Sequence, residues 1–273
     1  MPRLNSYEKA AQREVQVWLR GEASLLARVM DRVMRPVDWV VEQGVPGTVV
    51  DQISNAIGIF LGHLNDVSKW GLDLSAILKS AQRKGLEADR MEDLRHASLE
   101  KLDELSQSLF SQNTVLAALS GGGAGLGGAV LIAADIPLLF MINFHLIQRI
   151  GAAYGFPMTS PECSPVVLSI YNAAAANSRE ARGSAMHEIG IAAAAMAGET
   201  PYQGRVRGTL PDQSRHLPRE LAKNLVGRKL LQAVPLAGAA VGAGINYWFT
   251  RETAQTTYML FRALYLEHKE RLR

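Results

Sequence analysis

The chain has 273 residues, 48% hydrophobic and 20% charged, with a mean hydropathy of +0.01. This is ample apolar material for a packed core and excludes a disordered protein, while the low charged share leans toward large buried or lipid-facing surfaces. The formal charge of +3 is uneven: residues 1–104 carry 14 Lys/Arg against 16 Asp/Glu and residues 105–273 carry 15 against 10, a basic half too mild and too poor in interleaved aromatics for nucleic acid.

Helix signals dominate from the start. Asn5-Ser6-Tyr7-Glu8 offers a capping box, and Val15, Trp18, Leu19, Leu25, Leu26, Val29 and Val33 follow at helical spacing until Pro36 interrupts them. Pro36 and Pro46 each open a new helical piece, the second carrying the apolar stripe Val49, Val50, Ile53, Ile57, Phe60, Leu61 and Leu64. Residues 1–44 form an amphipathic N-terminal extension, and 45–273 are expected to form the main helical domain. Two amphipathic helices are predicted over Leu72–Arg83 and Met91–Phe110, the latter with Leu94, Leu99, Leu102, Leu105 and Leu109 beside a charged face that includes Asp103.

The middle of the chain changes character. Between Glu104 and Arg149 the one charged residue is Asp135, in a stretch that opens on a glycine cluster, Gly121 to Gly128. Gly121, Gly125, Ala129 and Ala133 repeat small side chains every four residues; a second uncharged stretch, Leu230–Thr250, repeats the theme at Gly238 and Gly242 and ends near Asn246. Small residues four apart share a helix face and admit a close neighbour, so the two apolar hairpins are expected to pack on each other, on a partner, or in a bilayer. Each stretch has the roughly 20 residues that a membrane span needs, but Gly, Ala, Asp135 and Asn246 weaken the insertion drive.

Asp135 has two readings. With Ile136-Pro137 behind it, it fits an N-cap that starts a helix over Ile136–Tyr154, and capping alone explains its type and position. The other reading is a buried polar site paired with Arg149 or another cation. Gly155-Phe156-Pro157 is a helix stop. Helices with alanine runs at 173–176 and 192–195 follow Ser164-Pro165, then a loop over about 198–218 rich in Gly, Pro, Arg and Gln, then a long closing helix from Asn246. Arg205, Arg207, Arg215, Arg219, Lys223, Arg228 and Lys229 precede the second apolar stretch, as residues that contact anionic lipid at a cytoplasmic membrane face would. No segment shows strand alternation, so the fold class is all-α.

Chemistry-bearing motifs are sparse. Gly123, Gly125 and Gly128 formally spell GxGxxG, but no strand precedes them and position 148 holds Gln148 where a ribose-binding acid would stand. There is no GxxxxGK[ST] and no GxSxG. The six histidines include no HxxxH pair, so no metal or cofactor is implied. The lone Cys163 lies between Pro161 and Pro165 with no adjacent base, excludes an internal disulfide framework and fits a reducing compartment. The polar start Met1–Lys9 lacks a secretion signal. The expected location is therefore cytoplasmic, peripheral to the inner membrane.

Two blocks together carry a family likeness. Ser120–Pro157, with its glycine cluster, Asp135-Ile136-Pro137-Leu138-Leu139, Ile147-Gln148-Arg149-Ile150 and Tyr154-Gly155, resembles the central signature of the EcsC family. Val226-Gly227-Arg228-Lys229-Leu230, Pro235-Leu236-Ala237-Gly238 and Gly242-Ala243-Gly244-Ile245-Asn246-Tyr247 resemble its C-terminal signature, and the likeness covers roughly residues 45–268. The family is named for the third gene of a bacterial operon whose other products form an ABC transporter. The resemblance thus implies a protein beside membrane transport or secretion, and brings no catalytic residue. The expected function is a non-enzymatic accessory protein that binds lipid or partner helices. The alternatives are a hydrolase built around Asp135, His145, His187 or Cys163, and a soluble helical domain with an unknown ligand.

Overall fold

The computed structural model describes residues 4–20, 51, 55, 72–110, 128–156, 158, 163–176, 179–196 and 238–271. Among these residues the regular elements are all helical: α1 (Ser6–Leu19), α2 (Leu74–Arg83), a 3-10 turn (Met91–His96), α3 (99–110), α4 (Gly128–Ala153), α5 (Cys163–Ala176), α6 (Arg179–Met196) and α7 (Gly238–Arg271). The helices expected after Pro36 and Pro46, the loop over 198–218, and Gly121, Gly125, Arg205, Arg207, Arg215, Arg219, Lys223, Arg228 and Lys229 lie outside the described residues.

Local signals place several helix ends. α1 begins with a reciprocal capping box, in which Asn5 Oδ1 accepts from the Glu8 amide at 2.8 Å and Glu8 Oε2 accepts from the Asn5 amide at 2.9 Å. α2 and α4 both end in a left-handed glycine, Gly85 (φ 75°) and Gly155 (φ 83°). At each end the glycine amide and the one after it bond back into the last turn: Gly85 to Gln82 and Leu86 to Ala81, Gly155 to Ala152 and Phe156 to Gly151. Gly155 is also a close approach, since a Cβ there would lie 2.8 Å from the Arg95 amide nitrogen and 3.0 Å from the Met91 carbonyl oxygen.

Three boundaries differ from the expectation. Met91–Phe110 is not one helix; Ala97 is extended between the 3-10 turn and α3. Asp135 is not an N-cap, because α4 already starts at Gly128 and runs through Asp135 and Pro137 to Ala153. A proline at that depth removes one amide donor from the helix ladder, and tertiary packing has overridden the local stop signal. The described part of the second apolar stretch is likewise no hairpin, since Gly238, Gly242 and Asn246 all lie in the 34-residue α7.

α7 is the axis of the bundle, packing on α1, α4, α5 and α6, while α5 and α6 pack as a pair. Its contacts with α4 run in the same order along both helices: the Phe140 and Phe249 rings are 5.9 Å apart, Asn143 Nδ2 donates to Thr250 Oγ1 at 3.1 Å, and Tyr154 stacks on Phe261 at 6.2 Å. The two helices are therefore parallel, with paired residue numbers differing by about 107–109. Tyr171 of α5 closes an aromatic triad, 4.9 Å from Phe140 and stacked on Phe249 at 6.2 Å. α1 belongs to the same core: Ala11, Val15 and Trp18 are buried at i, i+4 and i+7, and buried Arg182 of α6 lies over the Trp18 ring at 4.9 Å and donates to its carbonyl at 2.7 Å.

Candidate functional site

α4 has two faces. Leu139, Phe140, Asn143, Phe144, Leu146, Ile147 and Ile150 point inward and are buried. Leu138 and Met141 are exposed (43% and 37%), and Ile142, His145 and Arg149 are half-buried. Those five fall within about 100° of arc at 100° per residue, so they form one outward stripe that is apolar at its N-terminal end and basic at its C-terminal end. The offset between the parallel helices sets exposed Tyr247 of α7 level with about residues 138–140, and exposed Arg251 with about 142–144. Arg251 donates to the Tyr247 hydroxyl at 3.3 Å. Burial lowers the pKa of both His145 and Arg149, and the Arg149 charge lowers that of His145 further. Among the described residues no acid pairs with Arg149.

The opposite ends of the same helices close on a buried polar knot. Asp103 of α3 is 1% exposed. Its Oδ2 accepts from Tyr7 at 2.8 Å and lies 2.9 Å from Arg262 Nε, and its Oδ1 accepts from Tyr154. Arg262 reaches on to Glu14 of α1, and its guanidinium packs over the rings of Tyr258 (5.1 Å) and Tyr7 (5.7 Å). About two helical turns further along α7, buried Glu8 receives Lys269, and Gln12 donates to Glu270 at 3.0 Å. Burial pushes the Asp103 carboxyl up, against the Tyr154 hydrogen bond and the Arg262 charge. It also pushes Tyr7 up to about 12 and raises Tyr154 and Tyr258, with Asp103 adding to each. For Arg262, burial is the largest influence and opposes the charge, yet Asp103 and Glu14 hold its pKa above the ordinary value. Both oxygens of Asp103 are taken by the protein's own groups, so the knot fastens α1, α3, α4 and α7 together.

The sequence-predicted positions are dispersed. Asp135 and Arg149 do not pair, because they lie on one helix 14 residues, about 21 Å, apart. Carried outward, the α4–α7 offset sets Gly238 level with about residues 129–131, beside Ala129, and Gly242 with about 133–135. Asn246 is fully buried. Asp135 and His145 are on α4, Cys163 opens α5, and exposed His187 is on α6. Among the described residues no group of three or more His, Cys, Asp or Glu could hold a metal ion. A surface cleft of about 610 Å³ along α2 is lined by Ala76, Lys79, Gln82 and Arg83 and offers no acid–base pair. Among the described residues no helix is long and apolar enough to cross a membrane.

Asp103 was placed by the sequence on the charged, solvated face of its helix, and it is buried. The signal was present in the register: Leu99, Leu102, Ser106 and Leu109 share its side of α3 and are all buried.

Comparison with known proteins gives a family and a distant relative. Uncharacterized protein YdbA of Bacillus subtilis (strain 168) is 26% identical over 180 residues, covering 64% of this chain and 61% of the relative's length. No solved structure matches. The profile of the EcsC protein family matches residues 9–266, a span that starts inside α1 and ends near the end of α7. The chain belongs to the EcsC protein family.

Proposed function

We propose that this protein is a non-enzymatic accessory protein at the cytoplasmic face of a bacterial inner membrane, working beside an ABC transporter or a secretion process. It docks through the face of α4 turned away from α7, on lipid or on a partner's transmembrane helices. The observation that carries this reading is the pair of exposed apolar side chains Leu138 and Met141 on the face of α4 turned away from α7, with Arg149 further along the same face. Large apolar side chains bared together at a basic margin favour an interface with one apolar and one anionic layer. The small residues Ala129, Gly238 and Gly242 at the adjoining ends of these helices fit close helix approach.

A photo-crosslinking amino acid at position 138, compared with one at exposed Val17 on α1, tests this in membrane-containing cells. Position 138 should capture lipid or membrane protein, and position 17 should not. Absence of capture from 138, together with a protein recovered wholly away from membranes, would sink the reading.

A further inference from the structure

The contact between α4 and α7 carries a polar step in a run of rings. On one side of it Phe140 and Phe249 meet at 5.9 Å, and on the other Tyr154 stacks on Phe261 at 6.2 Å. Between them fully buried Asn143 and Thr250 are joined by a 3.1 Å bond from Asn143 Nδ2 to Thr250 Oγ1. Asn143 Nδ2 also donates to the Leu139 carbonyl at 2.8 Å, so the donor side of the amide is spent within the protein. The acceptor side is not: Asn143 Oδ1 has no hydrogen-bond partner in the protein, and neither has Thr253 Oγ1, which is also fully buried. Thr257, one turn on, meets the same need locally by donating its hydroxyl to the Thr253 carbonyl at 2.6 Å; Thr253 makes no such bond.

The register brings the two open groups to one place. At 100° per residue Thr253 falls between Phe249 and Thr250 around the α7 axis, and both of those side chains touch α4. Thr250, Thr253 and buried Ala254 lie within about 100° of arc, so α7 turns short side chains to α4 at this level. Three residues of rise set Thr253 about 4.5 Å along the axis from Thr250 and the Asn143 bonded to it, too far for a direct bond and near the span that two bonds through one water cover. A buried acceptor and a buried hydroxyl left unmet side by side are costly, and a water satisfies both at once. A cation is a poor tenant, because Asn143 Nδ2 aims its hydrogens at Thr250 Oγ1 and none of the three side chains carries a charge to balance one.

We infer that Asn143, Thr250 and Thr253 hold one internal water molecule in the core of the bundle. The water accepts from the Thr253 hydroxyl and donates to Asn143 Oδ1, with the Thr250 hydroxyl as its third partner. The site stands independently of the docking reading, since it lies on the face of α4 turned toward α7, opposite the exposed Leu138 and Met141.

The test is a crystal structure of the full chain and of its Thr253→Val variant, with urea unfolding of the wild type, Thr253→Val, Asn143→Leu and the double variant. Density for one atom within about 3.2 Å of both Asn143 Oδ1 and Thr253 Oγ1 is expected in the wild type and none in Thr253→Val. The fall in urea midpoint of the double variant should be smaller than the sum of the two single falls, because residues that share a water are coupled without touching. If a variant fails to fold, the wild-type density decides alone. A Thr253 hydroxyl found bonded to the Phe249 carbonyl with no density beside it, or single effects that simply add, would overturn the inference. A peak held at about 2.4 Å by five or more oxygens would overturn it in favour of a metal ion.

Discussion

The two ends of the α4–α7 pair solve the same packing problem with opposite chemistry. At the C-terminal end Tyr154, Tyr258 and Arg262 close on Asp103, and a cage of directional bonds sets which helix lies where. At the N-terminal end the pair carries the small residues Ala129, Gly238 and Gly242, and Leu138, Met141 and Tyr247 are exposed. A polar knot tolerates no substitute partner, because each buried charge needs its mate. A face of small and bare apolar groups has no such exclusivity. On the docking reading proposed above, the molecule keeps one end committed to itself and offers the other to a partner.

Four changes probe this contrast, in falling order of effect. Arg262→Ala strands Asp103 and should cost about 3–5 kcal/mol of stability, measured by urea unfolding, whereas Asp103→Asn in the same background should recover part of it. A loss below 1 kcal/mol would show that the knot is not what holds that end. Gly155→Ala should cost about 1–3 kcal/mol, because a methyl at positive φ also meets the Arg95 amide and the Met91 carbonyl; an unchanged melting temperature would contradict the close approach. Gly242→Leu should cost about 1–3 kcal/mol if α4 packs closely at that level, and Gly242→Ala separates crowding from helix propensity, which alone favours alanine by about 1 kcal/mol. Leu138→Gln should shift stability by less than about 0.5 kcal/mol while lowering vesicle binding; a larger shift would mean that the exposed stripe serves the core.

Alkaline titration reads the knot without mutation. Tyr7 and Tyr265 are raised to about 12, chiefly by burial, and Tyr154 and Tyr258 are raised further. Between the unfolded value near 10 and these folded values the native state binds more protons than the unfolded one, so stability is complete below pH 10 and is lost as pH rises through 12. Tyrosinate absorbance should then appear late and together with unfolding. Early, reversible ionisation of all seven tyrosines with the fold intact would refute the burial of these four.

Legibility followed the range of the interaction. The Asn5–Glu8 box and the Gly155 stop act within a few residues, so residue type and spacing announce them. The all-α class was readable for the same reason, since periodicity is local. Asp103 was not, because Tyr154 and Tyr7 lie 51 and 96 residues away and a carboxylate between leucines looks solvated until its partners arrive. Asp135-Ile136-Pro137 misled in the other direction: a strong local start signal sits inside a helix that the surrounding bundle sustains. Arg149, expected as a partner of Asp135, lies 14 residues from it on the same helix, half-buried and with no acid paired to it among the described residues.

The contacts that zip α1 to the end of α7 join residues 248 to 261 positions apart. On a ribosome adding about 5–20 residues per second, Glu8, Ala11, Val15 and Trp18 emerge tens of seconds before Arg262 and Lys269 exist. Throughout that interval the flank of the first helix that α7 will cover stays bare, while Tyr7 and Trp18 can already meet their partners Asp103 of α3 and Arg182 of α6.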